Sequence, residues 1–250
     1  MNYDYVIAGG GSAGCALAAR LAENPNISVC IVEAGGKGRE LFIKMPAANG
    51  FVFGNPNLDW GYSTIPQKSL NNRSIFLARG KALGGTSIVN GMMYIRGIPT
   101  DYDYWKQIGL SGWGYAELLP YFKRAETAKH RSGTYHGDTG PLKVEESVNF
   151  GEIDKAFIEA AISSGHRHVE DFNACNRTGV GRSDSTIKRG VRQSSAIAYL
   201  HKRPNNLTVL TRRHIAKILF DHKRAVGIET TDGEIIKANR EVIVCQGAFG

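Results

Sequence analysis

The feature that most constrains the fold is a glycine pattern that begins at Gly9. Residues 5–8 have the apolar character of a short buried strand, and the pattern Gly9-x-Gly11-x-x-Gly14 follows directly and opens an alanine-rich helix. A second apolar strand is predicted at residues 28–33. A strand, a glycine turn, a helix and a second strand form the βαβ unit of dinucleotide-binding proteins. The sequence therefore predicts a nucleotide site at the first turn of an α/β protein.

Each glycine of this turn has a separate predicted role. Gly9 allows the tight turn, Gly11 lets the backbone approach a pyrophosphate, and Gly14 lets the helix pack closely against the strand. Amide groups at the helix N-terminus, together with the partial positive charge of the helix, would then hold the phosphates.

The end of the second predicted strand carries an acidic residue, Glu33. Its carboxylate is placed to accept hydrogen bonds from a ribose diol, and its charge would repel a 2′-phosphate, which disfavours NADP. The continuation Glu33-Ala34-Gly35 favours FAD over NAD, although the βαβ unit by itself accommodates either cofactor.

A second group of glycines lies within residues 79–97. Gly84 and Gly85 precede two hydroxyl side chains, and the carboxamide of Asn90 follows in a stretch compatible with a helix. Unshielded amides beside polar side chains predict a second cradle for a polar ligand. A nicotinamide cofactor does not need such a cradle, whereas a flavin dinucleotide, whose isoalloxazine lies far from its adenine, does.

The second glycine group resembles the first signature of the glucose-methanol-choline (GMC) flavoprotein oxidoreductases. The similarity runs through residues 80–90 and continues in register at Tyr94, Gly97 and Asp103. Further stretches typical of the family are residues 59–62, 66–67, 136–142 and 203–210. Within the family, the chain is most similar to members that act on choline and on aliphatic alcohols.

The resemblance implies an FAD cofactor and the positions that contact it. The first glycine turn would bind the pyrophosphate, Glu33 the adenosine ribose, and the main chain of Ile215 the adenine. Some members attach FAD through a histidine next to the signature asparagine; Val89 occupies that position here, which implies non-covalent FAD. The implied FAD-binding residues are Gly9, Gly11, Ser12, Ala13, Gly14, Glu33, Ala34, Ala82, Gly84, Gly85, Thr86, Asn90, Gly91, Met92, Met93 and Ile215.

The resemblance also implies an activity: oxidation of choline or another primary alcohol to an aldehyde, with hydride transfer to the flavin and oxygen or a quinone as the electron acceptor. In the family the catalytic base is a histidine far along a longer chain, and Gly247-Ala248 resembles the start of the second signature. We therefore expect no catalytic residue within residues 1–250, and we predict no metal site. Two other hypotheses stay open: a non-catalytic FAD-binding remnant, and a GMC-fold hydroxynitrile lyase that keeps FAD without redox turnover.

Composition indicates an ordinary globular protein, with 42% hydrophobic and 22% charged residues. The net charge of +8 is spread without a run of five or more basic residues, which indicates a solvated surface and no nucleic-acid partner; such a surface would favour peripheral contact with an anionic membrane. No stretch approaches the roughly 18 apolar residues of a membrane span, and no charged leader precedes the first strand. Four cysteines without a CxxC pair indicate reduced thiols. The expected location is the cytoplasm or the inner face of the membrane.

The predicted fold class is α/β: an FAD-binding, Rossmann-like three-layer fold with an antiparallel meander, interleaved with part of an α+β substrate domain. The FAD-binding domain is predicted at residues 1–99, with a lid-like segment at 40–75, and again at 194–250. Residues 100–193 would form part of the substrate-side domain.

Several elements of the second half of the chain are predicted by pattern. Short strands are expected at residues 215–220, 225–231 and 234–237, with Asp232-Gly233 as a hairpin turn, and a further buried strand at 241–245. Ser194 is predicted to cap a helix. Another helix is indicated by apolar residues at helical spacing between Ile153 and Ala161, with Gly165 beyond its end.

Overall fold

The computed structural model describes residues 1–131, 133–147 and 150–249. The chain divides into two compact units. The first consists of Met1–Asn90 together with Val191–Gly250, and the second of Gly91–Gly190. The assignment of the first unit to FAD and of the second to the substrate remains a prediction.

The regular elements are numbered in chain order. The strands are β1 (Asn2–Ala8), β2 (Val29–Glu33), β3 (Tyr62–Ser63), β4 (Phe76–Leu77), β5 (Glu126–Thr127), β6 (Leu142–Lys143), β7 (Glu145–Glu146), β8 (Asp184–Ser185), β9 (Ile187–Lys188), β10 (Val191–Arg192), β11 (Leu207–Thr211), β12 (Ile215–Asp221), β13 (Arg224–Thr230) and β14 (Ile235–Val244). The α-helices are α1 (Ser12–Leu21), α2 (Leu41–Lys44), α3 (Pro99–Gln107), α4 (Tyr115–Ala125), α5 (Glu152–Ser163) and α6 (Ser195–Leu200). Short 3₁₀ helices span Pro46–Phe51, Lys68–Leu70 and Gly85–Ile88.

A six-stranded sheet forms the centre of the first unit, with the strand order β11-β2-β1-β14-β13-β12. The strands β11, β2, β1 and β14 are parallel, whereas β13 and β12 extend the sheet as an antiparallel meander. A parallel sheet with an antiparallel extension agrees with the predicted fold class.

Burial on both faces explains why the parallel strands have nearly continuous apolar sequences. All five residues of β2 are buried. Ile7 and Ile31 contribute to a core cluster that includes residues of α1, while Val6 and Val32 contribute to a cluster with residues of β13 and β14. The helix α6, which packs on α1, is capped as predicted, since the Oγ atom of Ser194 accepts a hydrogen bond from the amide of Ile197.

The prediction of separate strands at residues 234–237 and 241–245 was wrong, because both belong to the single strand β14. The start of β14 pairs antiparallel with β13, and its later part pairs in parallel with β1, with Val242 opposite Val6. One extra residue on β14 is absorbed by a register shift between Tyr3 and Tyr5. The predicted hairpin turn is confirmed, with a φ of +83° at Gly233.

Two other local predictions have different outcomes. The helix expected after residue 152 is confirmed as α5, and Gly165 lies beyond its end with a φ of +91°. The stretch compatible with a helix after Gly85 contains only the short 3₁₀ helix Gly85–Ile88. Within the described residues, no helix has both the length and the apolar character needed to cross a membrane.

A buried ionic network organises the second unit around His136. The imidazole Nδ1 lies 2.9 Å from Glu126 Oε1, and the Nε2 lies 2.8 Å from Asp171 Oδ2. Arg96 Nη2 is 2.8 Å from the same oxygen of Glu126. Burial disfavours the charged ring, but the hydrogen bonds and charges of Asp171 and Glu126 outweigh it and raise the pKa of His136 to about 9. With both ring nitrogens bound to carboxylates, His136 has a structural role in this network.

This network predicts a pH-dependent stability. Because the folded pKa of His136 lies above the ordinary value of 6.5, its contribution is complete below about pH 6.5 and is lost as the pH rises towards 9. We expect urea denaturation to show a loss of unfolding free energy on the order of 1–2 kcal/mol over this range, after allowance for solvent screening. His136→Gln should lack that loss, and His222→Gln, whose parent side chain is 96% exposed, should keep it. Equal pH profiles for the wild type and His136→Gln would contradict the assignment.

Candidate functional site

A cavity lies at the carboxyl ends of β1, β2 and β14, in the first unit. Its volume is about 890 Å³, within the roughly 300–1,000 Å³ that is typical of ligand sites. The strands β2 and β14 flank β1 on opposite sides, so the strand order reverses at this point. Ligands of open α/β sheets bind at such a switch point.

Nine of the sixteen predicted FAD-binding residues line this cavity. They are Gly9, Gly11, Ser12, Ala13, Glu33, Ala34, Gly85, Thr86 and Ile215. Gly14, Ala82, Gly84 and Asn90 belong to the same unit but do not line the cavity, and Gly91, Met92 and Met93 belong to the second unit.

Two glycines of the first turn are required by the protein itself. Gly9 has a φ of +103°, and a Cβ atom there would lie 2.5 Å from the carbonyl oxygen of Cys245. A Cβ atom at Gly14 would overlap the carbonyl oxygen of Gly9. These two positions therefore allow β1, α1 and the end of β14 to approach one another closely.

Gly11 differs from its neighbours because the protein does not need it to be a glycine. Its φ of −75° suits any residue, and a Cβ atom there would meet no protein atom closer than the Cys245 oxygen at 3.8 Å. That Cβ would occupy space beside the first amides of α1, which have no acceptor within the helix. The open space and the unsatisfied donors fit a pyrophosphate group of FAD.

The second glycine group lies directly against the first turn. The amide of Gly84 donates a hydrogen bond of 2.8 Å to the carbonyl oxygen of Gly10. A Cβ atom at Gly85 would lie 2.6 Å from the Cα atom of Gly11. The two predicted cradles, separated by about seventy residues in sequence, therefore form one continuous glycine surface beside the cavity.

Glu33 lines the cavity from the end of β2 and is 7% exposed. Its Oε2 accepts a hydrogen bond of 2.9 Å from the amide of Gly10, and its Oε1 accepts one of 2.8 Å from the amide of Gly35. Burial raises the pKa of Glu33, although these amides and the nearby His214 and Lys81 oppose the rise. Each carboxylate oxygen can accept a further hydrogen bond, which fits the hydroxyl groups of a ribose.

In the second unit, the backbone at Met92 is unusual. Its φ is +61°, in the left-handed region that residues other than glycine rarely adopt. The side chain is buried, and the carbonyl oxygen accepts a hydrogen bond of 2.8 Å from the amide of Thr186. Met93, the next residue, is 66% exposed. A constrained conformation of this kind often marks a functional segment.

The cavity wall also contains side chains that the sequence analysis did not assign to the site. Trp60 and Tyr62 stack with ring centroids 6.0 Å apart, and His214 meets Trp60 edge-on at 5.5 Å. The buried Asp59 fixes this loop, since its Oδ1 accepts hydrogen bonds from the amides of Gly61 and Arg79. The signal for these residues in the sequence is the stretch Asp59-Trp60-Gly61-Tyr62, one of those that carry the family resemblance. The unassigned lining residues include Trp60, Tyr62, Arg79, Arg213, His214 and Lys217.

No cluster that could hold a metal ion occurs in the part of the chain that the structure describes, taken as groups of three or more histidine, cysteine, aspartate or glutamate side chains. All four cysteines are free thiols. Cys245 lines the cavity, and burial raises the pKa of its thiol.

Comparison with known proteins finds relatives that match the chain along its whole length. Oxygen-dependent choline dehydrogenase from Sinorhizobium fredii is 43% identical over 255 residues, which cover all of this chain and 46% of that protein. The chain thus spans about half the length of the curated relatives it matches.

Solved structures show the same fold. Pyridoxine 4-oxidase from Mesorbium loti superposes with a TM-score of 0.92 at 34% identity, over 99% of this chain and 50% of that one. An FAD-dependent oxidoreductase from Chaetomium thermophilum superposes with a TM-score of 0.88 at 31% identity, over 98% of this chain and 46% of that one.

These relatives confirm the predicted fold class and the FAD cofactor. The family described as GMC oxidoreductase matches residues 3–250, almost the whole sequence, and confirms the resemblance found in the glycine signature. The chain belongs to the GMC oxidoreductase family.

Proposed function

We propose that this chain forms the FAD-binding part of an enzyme that oxidises a primary alcohol to an aldehyde. The main support is the Gly11 turn, where open space and helix-terminal amides meet at the switch point of the sheet. The membership of the GMC family provides the reaction class. When bound, FAD supplies the hydride acceptor for such an oxidation.

We assign the contacts of the cofactor to the residues that line the cavity. The amides of Gly11, Ser12 and Ala13 would hold the pyrophosphate, and Glu33 would accept hydrogen bonds from the adenosine ribose. The main chain of Ile215, at the start of β12, would lie beside the adenine. Of the other predicted residues, those of the first unit would support or extend this site: Gly9, Gly14, Ala34, Ala82, Gly84, Gly85, Thr86 and Asn90. Gly91, Met92 and Met93, in the second unit, stay predicted FAD-binding residues.

Non-covalent binding of FAD is part of the proposal. Val89, which stands where some family members have the linking histidine, is 3% exposed and packs in an apolar cluster with Ile43, Val52 and Leu58. A valine side chain has no nucleophilic atom for a bond to the flavin.

The proposed substrate is choline and the proposed electron acceptor is oxygen, because the relatives are named oxygen-dependent choline dehydrogenases. A quinone is the alternative electron acceptor. Because the chain matches about half of each relative, no residue within it is assigned as the catalytic base. Peripheral contact with the membrane stays a prediction that follows from the basic charge of +8. Cytoplasmic location stays a prediction that follows from the cysteine pattern.

The cofactor assignment predicts the effect of Gly11→Val. The backbone at Gly11 accepts a side chain without strain, so the protein should fold, but the new methyl groups would fill the space beside the α1 amides. We expect the purified variant to lose the visible flavin absorption of the wild type. Gly50→Val is the matched control, since a Cβ atom at Gly50 meets nothing within 4 Å. Full flavin content in a folded Gly11→Val protein would refute the assigned pyrophosphate site.

The reaction assignment predicts an effect of substrate on the flavin. Addition of choline or an aliphatic primary alcohol without air to the natural protein product, purified with its FAD, should bleach the visible flavin absorption, and admission of oxygen should restore it. A control addition of betaine, which has no hydroxyl group, should change nothing. If no primary alcohol bleaches a fully loaded flavin, the alcohol-oxidising function is wrong.

A further inference from the structure

A second cavity in the first unit is lined by basic side chains. Its volume is about 200 Å³, and it lies beside α6, the end of β11 and the loop that follows β2. Lys37 and Arg39 line it from that loop, and His201 and Arg203 line it from the segment between α6 and β11. No aspartate or glutamate is among its described lining residues. Two short basic segments, far apart in sequence, therefore meet at this cavity, which we call the basic pocket.

The rest of the wall of the basic pocket is mostly apolar. Val209 contributes from β11, which is an edge strand of the sheet. Ile197 and Leu200 contribute from α6 and lie three residues apart, on one face of the helix. Leu83, from the second glycine group, is 7% exposed. An apolar wall beside several charges of one sign strengthens the field that an anion meets there.

Backbone contacts hold the loop that carries Lys37 and Arg39. The amide of Leu83 donates a hydrogen bond of 3.0 Å to the carbonyl oxygen of Gly36. Gly38 has a φ of +63°, and a Cβ atom there would lie 2.5 Å from the carbonyl oxygen of Leu83. The loop thus lies directly against the second glycine group, and its backbone is positioned before any ligand binds, which lowers the entropy cost of binding.

The positive charges of the basic pocket are not neutralised by the protein. Within the residues that the structure describes, the side chains of Lys37, Arg39 and Arg203 have no ion pair and no hydrogen bond. By contrast, Arg213, which lines the first cavity, pairs with Glu234 at 2.9 Å. The donors around the basic pocket are therefore available to a bound group.

The size and the donors of the basic pocket favour a phosphate group. About 200 Å³ is below the roughly 300 Å³ at which typical ligand sites begin, so the pocket suits one charged group and not a second dinucleotide. The guanidinium forks of Arg39 and Arg203, with the ammonium of Lys37, match a dianion that has several oxygens. A carboxylate offers only two oxygens and one charge. His201 can supply a further N–H donor.

We propose that the basic pocket binds the phosphate group of a phosphomonoester. The inference goes beyond the proposed function, because no residue of the basic pocket lines the cavity assigned to FAD. The same donors would hold the phosphate of a small soluble ester and that of a phosphatidic acid headgroup at a membrane surface.

Calorimetric titration with inorganic phosphate tests this site. The natural protein product is loaded with FAD, so that the dinucleotide site is filled, and the wild type is compared with the double variant Arg39→Gln/Arg203→Gln. Both arginines are exposed and lack side-chain partners in the described part of the chain, so the variant should fold normally. We expect its dissociation constant for phosphate to rise at least about tenfold, because two charged donor groups are lost.

The matched control is Lys68→Gln/Lys223→Gln, which removes the same amount of charge. Both lysines are exposed, and neither lines either cavity. This control should bind phosphate as tightly as the wild type does. An equal loss of affinity in the control would overturn the proposal, since it would show that net charge and not the basic pocket attracts the anion.

Cosedimentation with vesicles separates the two sources of phosphate. Vesicles of phosphatidylcholine with phosphatidic acid are compared with vesicles of phosphatidylcholine alone. Binding to the phosphatidic acid vesicles that disappears in the arginine variant would identify a lipid headgroup as the ligand. Binding of inorganic phosphate without binding to either vesicle would identify a soluble ester.

Two further results would overturn the proposal: no binding of either phosphate or phosphatidic acid vesicles by the wild type, or unchanged binding in the arginine variant. Failure of the protein to take up FAD would overturn the proposed function instead. The titration would then use the protein without FAD, and the arginine variant would still distinguish the basic pocket from the Gly11 turn.

Discussion

The contact between the two glycine groups is the constraint on which the rest of the site depends. The 2.8 Å hydrogen bond from Gly84 to Gly10 and the close approach of Gly85 to Gly11 join segments that lie far apart in sequence. A side chain at Gly85 would separate the segments. β1 and β2 fix the first turn, and the hydrogen bond from the Ser195 amide to Ser87 Oγ holds the second group.

Within this surface, some glycines are required by the packing of the protein, and one leaves space for the proposed ligand. Gly9 and Gly14 have protein backbone where a Cβ would be, so their substitution would disturb the packing of β1, α1 and β14. At Gly11 that space is open. This open space beside the first amides of α1 is what supports the proposed pyrophosphate site. Glu33, held by two backbone amides, is the residue that we propose for the adjoining ribose.

The sequence correctly predicted the elements that are determined by residues close together along the chain. The βαβ unit, the Ser194 cap and the turn at Gly233 follow from periodicity, capping and turn chemistry, and they are confirmed. The continuity of β14 was missed because its partners change from β13 to β1 along one strand. Trp60 was missed for a related reason: its position in the site arises from its contact with His214, which no local pattern connects to it.

The most direct test of the account is a crystal structure of the protein with FAD. The account predicts pyrophosphate oxygens within hydrogen-bond distance of the amides of Gly11, Ser12 and Ala13, ribose hydroxyls on Glu33, and no covalent bond from Val89 to the flavin. The cofactor would lie in the cavity at the ends of β1, β2 and β14. A pyrophosphate bound away from the Gly11 turn, with the space beside that glycine filled only by solvent, would contradict the central claim.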